Sequence, residues 1–134
     1  MADTFDMPMQ AGQLKTLADE SERLNAANSC PCRLIRATGW ESMPEERWPA
    51  ELMALQGTLR DAAIDEPTFE EFHPAGTRYD SPDAPIALDF FPFNRCDVYR
   101  CARCLLPALR YTEYGGYYVE ERIRELDPDR VTGT

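Results

Sequence analysis

The sequence predicts an α+β domain: one N-terminal helix packed on a mainly antiparallel sheet of short strands, with a zinc-ribbon-like knuckle near the C-terminus. Three observations predict it. Residues 10–25 carry an uninterrupted helical repeat. Eleven prolines, crowded between Met43 and Pro92, cut the middle of the chain into pieces too short for long helices. Cys101-Ala102-Arg103-Cys104 stands between two strand-like runs, the layout of a knuckle.

Taken in order, residues 1–9 read as a loose leader. The helix over 10–25 places Leu14, Leu17, Ala18 and Leu24 on one stripe, with Asp19, Glu20, Glu22 and Arg23 elsewhere. Residues 32–40 read as a strand bounded by Pro31 and Gly39. Pro44, Pro49 and Gly57 allow a short helical turn and then a strand near Thr58-Leu59-Arg60. His73-Pro74-Ala75-Gly76 has the residues of a type I turn, so runs 68–72 and 77–79 are expected to pair as a hairpin. Residues 86–91 read as a strand between Pro85 and Pro92, residues 98–101 enter the knuckle and residues 108–114 leave it. Gly115-Gly116 permits a tight turn, after which Tyr117-Tyr118-Val119 returns. Val119, Ile123 and Leu126 at i, i+4, i+7 suggest a short terminal helix, and residues 128–134 a frayed tail. One domain over 1–134 is the expected count.

The net charge of −10 is uneven: residues 1–94 hold 17 acidic and 7 basic side chains, whereas residues 95–134 hold seven of each. An acidic chain repels phosphate backbones and favours a basic protein partner over nucleic acid. The first residues lack a basic segment followed by an apolar run, and no apolar stretch has the length of a membrane span. The expected location is the cytoplasm, where five cysteines are poor material for structural disulfides.

Metal ligation or simple burial of the thiols then remain. A tetrahedral zinc takes two thiolates from a Cys-x-x-Cys turn and two more ligands from elsewhere. The preferred set is Cys30, Cys32, Cys101 and Cys104, with His73 or Cys96 as substitutes. Cys96 is the weaker substitute, because an extended segment to Cys101 spans roughly 16 Å at about 3.3 Å per residue. Cysteine is also among the most buried residue types, so five inert thiols stand as the competing reading. Dithiol redox chemistry ranks below both, since Leu105-Leu106-Pro107 does not begin a helix that would depress a thiolate pKa.

Arg95, Arg100, Arg103, Arg110, Arg122 and Arg124 alternate with Tyr99, Tyr111, Tyr114, Tyr117 and Tyr118. Guanidinium groups and aromatic faces are what single-stranded nucleic acid binding uses. The segment has no net positive charge, however, so tyrosines packed on a sheet and arginines paired with Glu113, Glu120, Glu121 and Glu125 are the simpler expectation. No catalytic residue is assigned: His73 sits in a turn, and Glu70-Glu71 and Glu120-Glu121 would point to opposite faces of a strand. Trp40 and Trp48 read as core or interface anchors.

Asn94-Arg95-Cys96-Asp97-Val98-Tyr99-Arg100-Cys101-Ala102-Arg103-Cys104 and Leu109-Arg110-Tyr111-Thr112-Glu113-Tyr114-Gly115-Gly116-Tyr117-Tyr118 resemble an uncharacterised family of small bacterial proteins with such a knuckle. Glu66-Pro67-Thr68-Phe69 and His73-Pro74-Ala75-Gly76-Thr77-Arg78-Tyr79 extend the resemblance, which covers most of the chain from Cys32 onward. In that pattern glycine follows the second knuckle cysteine; Leu105 stands there instead. The resemblance implies a bacterial protein and no particular activity. The resulting expectation is a cytoplasmic, non-enzymatic interaction or adaptor domain with a structural zinc. A nucleic-acid-binding protein ranks second and a thiol-redox protein third.

Overall fold

The computed structural model describes residues 8–24, 40–61, 63–64, 66–72, 84–103, 105–114, 117–126 and 130–132. Among them, α1 (Ala11–Leu24) precedes seven strands: β1 (Glu41–Ser42), β2 (Met53–Thr58), β3 (Ile86–Ala87), β4 (Asp97–Cys101), β5 (Pro107–Tyr114), β6 (Val119–Glu125) and β7 (Val131–Thr132). Single 3-10 turns occupy Glu45–Arg47 and Phe93–Arg95. The main sheet has the order β1-β6-β5-β4-β2 with every neighbouring pair antiparallel, while β3 and β7 form a separate parallel pair. The expected α+β class, one helix on a mainly antiparallel sheet, is what the chain adopts. No helix among the described residues is long and apolar enough to cross a membrane.

The helix begins where its backbone can be capped. Gln10 N–H donates to Gln13 Oε1 at 2.7 Å, and the first helical bond, Leu14 N to Gln10 O, closes at 3.1 Å. Leu14 and Ala18 are buried and Leu17 packs beside them, so the apolar stripe is the buried face. From the same side Glu20 accepts a 2.6 Å bond from Arg100, tying α1 to β4.

Both faces of the central strands are covered. Val98, Leu109 and Arg124 stand opposite one another across β4, β5 and β6, on the side of α1. That core also holds Leu59, Ile86, Leu88, Phe93, Cys96, Tyr111, Leu126 and Val131. On the other face Cys101, Ala108 and Ile123 pack with Trp48, Met53 and Leu106. Arg124 is fully buried in the first core, donating Nη2–H to Ala84 O at 2.9 Å, with its Cζ 5.7 Å from the Phe93 ring.

Several expected elements differ, each for a physical reason. The strand placed at 58–60 runs over Met53–Thr58, because Gly57 lies within the strand at a bulge between Leu55 and Gly57 instead of breaking it. The Met9 Sδ and Cγ stand 2.6 and 2.7 Å from where a Cβ on residue 57 would lie. Residue 9, read as part of a loose leader, is therefore docked, and its amide bonds Thr58 O at 2.8 Å. Residues 68–72 form no strand; they lie along the Phe93–Arg95 turn, held by Asn94 Nδ2 to Thr68 O at 2.8 Å and Phe91 N to Glu70 O at 2.7 Å. The strand expected over 86–91 spans only Ile86–Ala87, because a turn closed by Phe90 N to Ala87 O at 3.0 Å follows it.

The terminal helix is replaced by β6. Alternation sends Ile123 into the second core and Arg124 and Leu126 into the first, so the 119–123–126 spacing was a coincidence of residues on opposite faces. Within the tail, β7 pairs with β3 and buries Val131. The strand over 32–39, the turn 73–76 and its second arm 77–79, and the Gly115-Gly116 turn lie outside the described residues.

The contact between Met9 and the bulge is testable. Gly57→Ala should cost about 1–3 kcal/mol by overpacking, and much less in a Met9→Ala background. A double-mutant cycle in urea checks this, and additive losses would show that Met9 is not what fills the space.

Candidate functional site

The turn that follows β4 has a specific backbone shape. Cys101 is the last residue of β4; its amide bonds Leu106 O at 3.0 Å, and its carbonyl accepts from Leu105 N at 2.9 Å. Leu105 has φ of 64°, in the left-handed region that glycine occupies without cost. A leucine therefore occupies a backbone position that favours glycine. Within the turn, Arg103 N–H points at Cys101 Sγ from 3.4 Å, the contact that partially neutralises a metal-bound sulfur. Ala102 N also bonds Leu52 O at 2.7 Å, fixing the turn against the segment before β2.

Of the sequence-predicted ligands, Cys101 is fully buried in the second core. Cys96 lies in the other core, just before β4, and the extended strand separates it from Cys101. Its thiol donates to Pro92 O at 3.4 Å. Burial pushes this thiol well above its usual range; Asp97 adds to the rise, while Arg60 and Arg124 oppose it. Cys30, Cys32, His73 and Cys104 lie outside the described residues. Among the described residues no group of three His, Cys, Asp or Glu side chains is placed to hold a metal.

The arginine–tyrosine segment is largely self-paired. Arg110 donates to Glu45 at 3.1 Å and forms an ion pair with Glu121 at 3.3 Å, with its Cζ 4.3 Å over the Trp48 ring. Arg122 bonds Glu120 at 2.6 Å and faces Glu113 at 3.6 Å. Arg122, then Ser42, hold the Glu120 carboxyl below its usual range by hydrogen bonding. Tyr111 donates to Glu113 Oε1 at 2.6 Å; burial first, and this bond second, push its phenol upward. In contrast Tyr114, Tyr117, Tyr118 and Val119 stand exposed where β5 and β6 end.

A cleft of about 380 Å³ opens beside this segment. Its origin is the register: β4 begins at Asp97 opposite Arg110, so residues 111–114 of β5 have β6 on one side and no strand pairing with β4 on the other. The gap is lined by Arg60, Phe69, Phe91, Arg95 and Asp97 together with residues of β5. Sequence reasoning found Arg95, Tyr99 and Tyr111 but missed Arg60, Phe69 and Phe91. Arg60 follows β2, while Phe69 and Phe91 meet beside the Phe93–Arg95 turn, so the lining is assembled from segments far apart in sequence. Two exposed phenylalanines in an acidic segment, Phe69 and Phe72, were the available signal.

Because burial holds the Cys96 thiol protonated, its contribution to stability is complete below about pH 8.5, the unfolded value, and is lost as pH rises toward the folded value. Stability of the parent should fall more steeply than that of Cys96→Ala between pH 8.5 and 10, by up to about 1.4 kcal/mol per pH unit. Urea titrations of both proteins across this window measure the difference. Parallel curves would mean that the thiol ionises as easily folded as unfolded.

Comparison with protein-family models, curated proteins and solved structures found no match for the chain.

Proposed function

We propose that this chain is a non-enzymatic interaction module whose sheet is pinned by a structural zinc at the Cys101 turn. The observation that carries the metal half is the turn itself: an amide directed at Cys101 Sγ and a left-handed Leu105 at the position a knuckle reserves for glycine. A bulky residue at positive φ costs about 1–2 kcal/mol, and a bound ion offers a compensating gain. Cys101 and Cys104 would supply one pair of thiolates and Cys30 and Cys32 the other. Enclosure of Cys101 by Trp48, Met53 and Leu106 suits a closed, four-ligand site, which holds a fold together and leaves no position for substrate. Bound there, zinc would supply cross-linking.

The interaction half rests on the exposed end of β5 and β6. Tyr114, Tyr117, Tyr118 and Val119 present aromatic and apolar surface at one place, the composition of a protein-binding hot spot. The net charge of −10 favours a basic protein partner. The pairing of Arg100, Arg110 and Arg122 with carboxylates weighs against a polyanion, since those charges are already neutralised.

Metal content of protein purified without chelators or affinity metals tests the first half. One zinc per chain is expected, lost in Cys101→Ser and Cys104→Ser with a drop of several kcal/mol in stability, and kept in Cys96→Ala. Equal metal in Cys101→Ser and the parent would sink the zinc reading.

For the second half, Tyr117→Ser combined with Tyr118→Ser should leave stability within about 0.5 kcal/mol of the parent. The same variant should lose retention of a basic protein partner in pull-down. Submicromolar, salt-sensitive binding of mixed-sequence RNA would instead promote the nucleic-acid reading.

A further inference from the structure

We propose that the cleft alongside residues 111–114 binds a small planar aromatic carboxylate, with Arg95 as the cation that receives the carboxylate. The inference does not depend on the zinc or on the exposed tyrosines. It rests on how the charges in the cleft are already spent.

Among the described residues, three arginines and three acidic side chains line the gap: Arg60, Arg95 and Arg110, against Asp97, Glu113 and Glu121. Arg110 is committed to Glu45 and Glu121. Glu121 also accepts from Thr112 at 2.7 Å, and Glu113 accepts from Tyr111 and faces Arg122. Arg60 meets Asp97 through a single nitrogen at 3.3 Å to each oxygen, a long contact on a side chain 58% exposed. Among the described residues Arg95 has no carboxylate partner. Its Nη2 bonds Pro67 O at 2.7 Å, and its Nε is buried with no hydrogen-bond partner. The cleft therefore holds one uncommitted cation beside a loosely paired second one. The six lining charges cancel, so what a ligand meets is local: a monoanion can pair with Arg95, whereas a phosphate dianion would also meet three carboxylates.

The walls specify the rest of the ligand. The Arg95 Cζ sits 4.0 Å over the Phe69 ring, which is 70% exposed, and 5.6 Å from Phe91. Phe69 and Phe91 have centroids 5.5 Å apart, and Phe91 meets Tyr111 edge-on at 6.0 Å. Flat rings flanking a guanidinium that is fixed by stacking and a backbone bond form a preorganised site for a flat ring bearing a carboxylate. A volume of about 380 Å³ lies at the small end of ligand sites and suits one or two fused rings.

The test uses the full-length protein with 1-naphthoate as the probe and its neutral analogue 1-naphthamide, followed by calorimetry and by shifts of backbone amide resonances. Naphthoate should bind, with the largest shifts at residues 95, 97 and 111–114, and naphthamide should bind at least about tenfold more weakly, the worth of a charge-assisted bond. Arg95→Met keeps apolar contact with Phe69 and removes the charge; it should weaken naphthoate by about tenfold or more and leave naphthamide unchanged. Arg100→Met, whose guanidinium is paired with Glu20 and does not line the cleft, should leave naphthoate binding at the parent level. The proposal is overturned if naphthoate does not bind at millimolar concentration, or if naphthamide binds equally well. It is equally overturned if the shifts map to Tyr117 and Tyr118, which do not line the cleft. The comparison of the two probes on the parent needs no variant, so it decides the matter even if Arg95→Met fails to fold.

Discussion

The structure depends on β4 and β5 being covered on both faces. An antiparallel sheet usually needs one apolar face; here Val98, Leu109 and Tyr111 require one cover and Cys101 and Ala108 another. The chain meets the first demand with α1, the β3–β7 pair and the Phe93–Arg95 turn, and the second with the loop carrying Trp48 and the residues around Leu106. Because each cover is assembled from short pieces, each piece is anchored by polar bonds as well as by contact. The Arg100–Glu20 bond, the Arg110–Glu45 bond and the Arg124–Ala84 bond are such anchors. Arginine suits this use, since its stem packs as hydrocarbon while its planar head reaches a carbonyl or carboxylate in a fixed direction.

The same economy explains why an arginine-rich, tyrosine-rich segment is not a basic surface. Arg124 is part of the core, Arg110 lies against Trp48, and Arg122 is enclosed by Glu113, Glu120 and the Tyr118 hydroxyl. Arg110 and Arg122 meet their carboxylates within the protein. Arg95 is an exception of another kind, a half-buried guanidinium stacked on Phe69 that meets no carboxylate among the described residues. Its position beside a gap in strand pairing makes that exception informative.

Much of the architecture was legible in the sequence. The helical stripe of Leu14, Leu17 and Ala18, the turn between Pro44 and Pro49, and the β4–turn–β5 unit follow local rules of periodicity, proline and spacing. What was not legible depended on distant partners. Gly57 reads as a stop until Met9 is known to fill its missing side chain. Val119, Ile123 and Leu126 read as one helical face unless Arg124 is recognised as a core residue, which a charged side chain does not announce. The cleft was hidden for a third reason: it is a register effect, the four residues by which β5 outruns β4, and no residue type encodes an offset.

The bulge in β2 has a consequence for how the molecule meets its own copies. As the outer strand of the sheet, β2 would offer an incoming chain a ruler of evenly spaced carbonyls and amides, the usual starting point for runaway strand-to-strand growth. The register shift at Leu55 and Gly57 breaks the even spacing. Two carbonyls of the strand are also occupied from within, that of Ala54 by the Gln56 side chain and that of Thr58 by the Met9 amide. At the opposite border β1 is two residues long, too short to template anything. Among the described residues one ragged rim and one stub blunt both borders of the sheet, which disfavours strand-to-strand growth while apolar rings such as Tyr117 and Phe69 stand in water.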